Sequence, residues 1–174
     1  MTDSPASSSG SLRPLRQEDL ELILAWRNHD DVRQYMYNRH LISAAEHSRW
    51  FAQCQSQPGR HLLLYEEAGQ PQGFVNFAPT RFAGVVEWGF YAAVGAAAGT
   101  GRRLGQAAMN HAFLQLGLHK VCAEALDSNA RSLRLHEALG FQREGLLREH
   151  YHDGSRYHSI ICLGLLSQDW AGHH

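Results

Sequence analysis

Gly99 and Gly101 stand in the stretch GAAAGTGRRLGQAAMNHAF, where the apolar run VVEWGFYAAV gives way to a helical pattern. Glycines at a strand-to-helix passage let the backbone approach a ligand closely, most often a phosphate. No Lys-Ser or Lys-Thr follows, so this is not a P-loop. Three readings compete. The first is a flexible loop with no ligand. The second is a dinucleotide fingerprint, since Gly99, Gly101 and Gly105 form a loose G-x-G-x-x-x-G and Glu124 lies where a ribose-binding acid would stand. That fold wants the fingerprint after its first strand and several further strand-helix-strand units. Here three or four antiparallel strands precede the glycines and one crossover follows. The third is a pyrophosphate cradle at a helix N-terminus. The free N–H groups from Gly99 through Thr100, Gly101 and Arg102 to Arg103 would point at the phosphates, aided by the helix dipole, with charge from Arg102 and Arg103. The third reading requires the strands before and after the helix to splay, so that an extended cofactor arm runs between them.

The other residues suited to chemistry are fewer. Glu124 alternates with apolar residues in VCAEAL, which puts it on one side of a strand beside that cleft; a solvent-facing strand carboxylate is the plain alternative. Glu87, in the strand before the glycines, is the reserve acid. Cys122 lies in an apolar strand and reads as a core thiol, a poor candidate for a nucleophile. His150, His152 and His158 form the densest group of the twelve histidines, but no acidic or cysteine partner stands at a familiar ligand spacing, and no metal site is expected.

These groups must be positioned by a single domain. The chain has 174 residues, 44% hydrophobic and 19% charged. A net charge of −1 leaves no field to hold nucleic acid or anionic lipid nonspecifically. Cys54, Cys122 and Cys162 are odd in number and scattered, which reads as reduced thiols. No apolar run nears the ~18–20 residues that cross a membrane. The opening MTDSPASSSGS has no apolar core of a secretory signal, so a cytoplasmic location is expected. It reads as a disordered tail over 1–11, with the folded domain over 12–168.

The element order is a short strand at LRPL, a helix over RQEDLELILAWRNHDDV, and a second helix at SAAEHSRWFAQCQ with Ser43 and Glu46 as a capping box. HLLLYEEAGQPQGFVNFAPT reads as a hairpin and GVVEWGFYAAV as the next strand. A helix over about Gly101 to Leu116, a strand HKVCAEAL, and a helix capped by Asn129 and closed by Gly140 follow. REGLLREHYHDGSRYHSIICLGLL closes the chain as two strands around Asp153-Gly154. The fold class is α/β (α+β), a mixed and mostly antiparallel sheet with one central strand-helix-strand crossover and flanking helices.

In this order the motifs resemble the GNAT superfamily of N-acetyltransferases, which use acetyl-CoA. Its motif Gln/Arg-x-x-Gly-x-Gly/Ala falls on Ala96-x-x-Gly99-x-Gly101; Ala96 lacks the side-chain phosphate contact, while the backbone contacts survive. The next motif, Asn-x-x-Ala/Ser-x-x-x-Tyr-x-x-x-Gly-Phe, falls on Asn129, Ser132, His136, Gly140 and Phe141, with His136 where tyrosine is common. LGLHKV and EGLLREHYHDG also resemble the family, and the resemblance covers about Leu12 to Leu166.

It implies acetyl transfer from acetyl-CoA to an amine, with Glu124 as base and His136 as acid. A helix-surface histidine is the alternative for His136. Asn129 caps its helix, holds the pantetheine arm, or does both. The oxyanion donor is placed at a backbone N–H near Tyr91, where the strand diverges.

The N-terminal third, with LRPL, WRNHDDVRQYM and ISAAEHSRWF, resembles the enzymes that acetylate a 4-amino sugar on a UDP carrier in pseudaminic acid synthesis. It shades into ribosomal-protein N-terminal and polyamine acetyltransferases. The resemblance puts Arg33 and His47 on the nucleotide and Tyr91 in the same pocket. An exposed helix arginine and a core-covering histidine are the plain readings of Arg33 and His47, and Trp26 and Trp50 read as core. An acidic acceptor cleft would favour cationic acceptors, whereas Arg33, Arg39 and Arg81 argue for an anionic one. A non-catalytic acyl-CoA-binding domain is the rival of another class. The oligomeric state is left open, a homodimer included.

Overall fold

The chain enters its sheet at β1 (Ser11–Pro14), turns through a short 3-10 segment (Gln17–Asp19), and forms α1 (Leu20–Asn28). The computed structural model describes residues 10–171, so residues 1–9 of the expected tail lie outside the described residues. Asp19 anchors the entry: its carboxylate accepts from the two terminal guanidinium nitrogens of Arg13 at 2.8 Å and from the Arg16 amide at 2.8 Å. The single helix expected over residues 16–32 breaks at His29, whose extended backbone starts α2 (Asp30–Arg33).

After a connection over 34–43, Ser43 caps α3 (Ala44–Gln55) by accepting from the Glu46 amide at 3.2 Å. The expected capping box is only half made, because the Glu46 carboxylate turns to His40 Nε2 at 2.9 Å instead.

β2 (His61–Glu67) and β3 (Gln70–Pro79) form the expected hairpin. Ala68 and Gly69 have φ of 49° and 72°, the left-handed pair that a two-residue turn requires. β4 (Val85–Ala92) leads through the glycine loop into α4 (Thr100–Asn110), which continues as a short π-helix (His111–Gln115). β5 (Lys120–Leu126), α5 (Ala130–Ala138), β6 (Gln142–His152) and β7 (Tyr157–Leu166) follow. A last helix, α6 (Ser167–Ala171), carries the structured chain past the expected boundary at 168: Trp170 is buried and donates to Asn110 Oδ1 at 2.9 Å.

The seven strands run β1-β2-β3-β4-β5-β7-β6. All pairs are antiparallel except β4 and β5, which carry the crossover. This is the mixed sheet expected from the sequence. One face packs Val86, Trp88, Val121 and Ala123 against Leu104, Ala108 and Met109 of α4. The other packs Leu64 and Phe74 against Ile23, Trp26 and Phe51 from α1 and α3. Among the described residues no helix is long and apolar enough to cross a membrane.

Gly105 is a packing glycine. A Cβ there would lie 2.5 Å from Leu139 Cδ1, where α4 and α5 touch. Gly105→Ala is therefore expected to destabilise the fold by about 1–3 kcal/mol through overpacking. Denaturant unfolding should register that loss.

Candidate active site in the strand fork

β4 and β5 pair over only three positions, Val85 with Lys120, Val86 with Val121 and Glu87 with Cys122. Beyond them β4 follows β3 as far as Ala92, and β5 follows β7 as far as Leu126. The strands therefore part, and every second residue of β4 beyond Glu87 turns its N–H and C=O into the fork with no strand to meet them. A cleft of about 1150 Å³ fills the fork, bounded by the residue 35–38 segment, β4, β5 and the N-termini of α4 and α5.

The α4 end of this cleft is built for an anion. Gly99 is the N-cap, with φ of 84° that a side chain would strain. The amides of Gly99 and Gly101 have no protein acceptor among the described residues, and they sit at the positive end of the helix. A Cβ on Gly101 would meet Leu135 Cδ2 at an ordinary 3.8 Å, so the protein itself leaves room there.

The flanking side chains divide. Arg102 is exposed on the cleft lip, whereas Arg103 is forked onto Glu67 at 2.7 and 3.1 Å and donates to Thr100 Oγ1 at 3.1 Å. Thr100 is buried, and Ala96 brings only a methyl group to the wall.

At the other end, Glu124 projects from β5 on the face opposite Ala123 and Ala125, and it is exposed to the cleft. Its Oε2 accepts from the Tyr37 hydroxyl at 3.0 Å. Tyr37 is 46% exposed, and its hydroxyl reaches across the cleft to Glu124. Burial of that end, with the Glu124 carboxylate beside it, holds the phenol above the usual tyrosine range, so it stays a donor. Glu87 also opens on the cleft, with no hydrogen-bond partner among the described residues. Cys122 is half-buried on the wall, and burial pushes its thiol up, away from nucleophilic thiolate.

Asn129 caps α5 with its Oδ1, which accepts from the Ser132 amide at 3.1 Å, and the side-chain nitrogen remains on the cleft wall. His136 is 3% exposed and sits inside the core, not on the helix surface. Its Nε2 accepts from Trp88 Nε1 at 3.2 Å, and its Nδ1 donates to the Ser132 carbonyl at 2.8 Å. Burial pushes its pKa down. The ring is placed as a neutral group with both nitrogens engaged, whereas an acid would need an imidazolium free to donate into the cleft. The sequence did not separate these cases because a histidine between Leu135 and Glu137 fits either face.

The acceptor side carries an aromatic wall. His47 stacks on Trp50 at 5.0 Å, Trp50 meets Phe74 edge-on at 6.0 Å, and Phe74 meets Tyr91 at 5.2 Å. Burial holds the His47 pKa down, with a smaller push from Arg27, and raises the Tyr91 phenol. Trp50 and Phe74 line the cleft as well as the core. Arg27, which sequence reasoning passed over beside Trp26, fronts this wall and donates to the Asn38 carbonyl at 2.7 Å.

Arg33 does not front the wall. It turns to Asp30 and to the Arg39 carbonyl at 3.1 Å, in a separate hollow of about 280 Å³. Of the histidines weighed for a metal, His158 pairs with Asp153 at 2.6 Å, His152 packs on Tyr157 at 4.6 Å, and His150 is exposed.

The site thus joins a glycine-capped helix end to a carboxylate across two parted parallel strands. The family model for the acetyltransferase (GNAT) domain matches residues 11–142, and the chain belongs to that family. It is an acetyltransferase. Acetyltransferase PseH of Campylobacter jejuni is 26% identical over 79% of this chain and 86% of its own length. The spermidine N(1)-acetyltransferase of Escherichia coli K12 is 22% identical over 98% of this chain and 92% of its own. Among solved structures, spermidine N-acetyltransferase from Vibrio cholerae, in complex with CoA and spermine, superposes with a TM-score of 0.86 at 23% identity, covering 94% of this chain and 99% of that one. Ribosomal-protein-alanine N-acetyltransferase from Brucella melitensis gives 0.77 at 24% identity, covering 89% and 98%.

Proposed function

We propose that the chain acetylates the 4-amino group of a UDP-linked amino-deoxy-sugar with acetyl-CoA. The observation that carries the donor is the cradle of free amides at Gly99 and Gly101 opening onto the strand fork. These amides suit the coenzyme A pyrophosphate, with Arg102 as the free cation beside them, and the Asn129 side-chain nitrogen suits the amide-bearing pantetheine arm. Glu124 takes the proton of the attacking amine, and a β4 N–H beyond the parting stabilises the thioester oxygen as it gains charge. His136 serves the wall and not the leaving thiolate, which departs without a side-chain acid.

For the acceptor, the stack of His47, Trp50, Phe74 and Tyr91 behind Arg27 suits a flat base and a diphosphate. The likeness to the Campylobacter acetyltransferase supports it. A charge-assisted contact from Arg27 to a diphosphate contributes about 1.5–3 kcal/mol. Arg27→Ala is thus expected to raise the acceptor KM about ten- to a hundredfold. Arg27 also holds the Asn38 carbonyl, so a small uncharged amine should lose some turnover too; the diphosphate-bearing acceptor should lose clearly more, and an equal loss on both would assign Arg27 to structure alone.

A second reading, acetylation of a cationic polyamine, is favoured by Glu87 and Glu124 on the cleft wall and by the likeness to spermidine acetyltransferases. The other acidic groups on the cleft wall are partly answered: Asp31 lies 3.6 Å from His29, Glu46 meets His40 at 2.9 Å and Glu144 meets Lys120 at 2.7 Å. The readings separate in one experiment. The enzyme is given acetyl-CoA with UDP-amino-sugars, spermidine or ribosomal N-terminal peptides, and free thiol is followed. Efficient turnover of a UDP-4-amino-sugar is expected. Turnover of spermidine or peptide with none of the sugars overturns the sugar assignment and leaves the acetyltransferase standing.

A further inference from the structure

The segment over residues 34–43 carries no secondary structure beyond turns, yet it is tied down at both ends. At its base the Asn28 side chain pairs with Ile42 like a second strand, donating to its carbonyl at 2.8 Å and accepting from its amide at 2.9 Å. Arg27 holds the Asn38 carbonyl beside it. At its tip the Tyr151 hydroxyl donates to the Tyr37 carbonyl at 2.9 Å, and the two rings pack at 5.0 Å. Arg39 lies over the Tyr151 ring at 5.9 Å, with its Nη1 3.9 Å from Asp153.

Tyr151 reaches the segment because β6 is irregular between Leu147 and Tyr151, where Glu149 has φ of 48°. Such an irregularity re-aims a side chain out of the strand's alternation. The result is a strap across the acceptor end of the fork. From it a single polar group, the Tyr37 hydroxyl, reaches Glu124.

We propose that Tyr37 is a positioning residue for Glu124, with its hydroxyl fixing Oε2 so that the other carboxylate oxygen faces the acceptor amine. This rests on the reading of Glu124 as the base. Glu124 is exposed on a strand, and without Tyr37 no side chain among the described residues fixes its rotamer. The strap makes the base competent: Tyr151 holds the Tyr37 backbone and ring, and the Tyr37 hydroxyl holds the carboxylate. The phenol stays protonated, so it orients Glu124 and does not itself accept the amine proton.

Four enzymes test this: wild type, Tyr37→Phe, Glu124→Gln and the double variant. Tyr37→Phe keeps the ring on Tyr151 and the backbone contact, and removes one oxygen. It is expected to lower kcat by about tenfold. Acetyl-CoA KM and the thermal midpoint should stay at their wild-type values. In the Glu124→Gln background the same change should cost nothing more, because the hydroxyl acts through that carboxylate. A slow Glu124→Gln beside a Tyr37→Phe with wild-type kcat overturns this proposal alone, as does a double variant whose losses multiply. Near-normal turnover of Glu124→Gln overturns the base assignment and this proposal with it.

Discussion

Glu124→Gln is expected to retain acetyl-CoA affinity and to lose turnover by about 10²-fold. The change keeps the size of the side chain and leaves an oxygen for the Tyr37 hydroxyl, so the strap stays in place while the basicity goes. Glu87 is the competing carboxylate, but it stands at the last paired position of the parallel strands, opposite Cys122. Glu124 lies beyond the parting and alone is oriented by a tyrosine from across the cleft. Steady-state turnover across the pH range checks the assignment. Near-normal rates at every pH would move the role to Glu87 or to water.

Gly101→Val is expected to weaken acetyl-CoA binding by roughly tenfold or more, with the fold intact. At Gly105 a side chain strikes Leu139, and at Gly99 it strains the backbone, so neither position separates ligand from fold. At Gly101 the nearest atom to an added Cβ is Leu135 Cδ2 at an ordinary 3.8 Å, so the fold tolerates the bulk while a phosphate on the adjacent free amides is crowded. Calorimetry on a folded Gly101→Val with unchanged affinity would rule the cradle out.

These cases also show what could be read from the residues alone. The parting strands followed from the two glycines and the element order, since only a fork makes sense of an anion cradle between neighbouring strands. Asn129 as a cap and Gly140 as a left-handed terminator, with φ of 90°, followed from local chemistry. What escaped were contacts made across the chain. Tyr37 meets Glu124 over a separation of 87 residues, from a segment with no periodicity to announce it. His136 is engaged by Trp88 over 48 residues, and no pattern within RSLRLHEAL encodes that donor. Arg33 and Arg27 are both arginines near the end of a helix. Only the break at His29 decides which of them fronts the cleft. α6 was missed because a five-residue helix has no room for an apolar repeat.

The central claim is that the donor lies in the fork, with its pyrophosphate on the amides of Gly99 and Gly101. Amide hydrogen exchange, with and without saturating coenzyme A, measures this directly. The account predicts slowed exchange over residues 97–103, where Gly99 and Gly101 carry no protein hydrogen bond, and at Trp88–Ala92 where β4 borders the fork. Protection confined to another face, with these amides exchanging at their free rates, would contradict it.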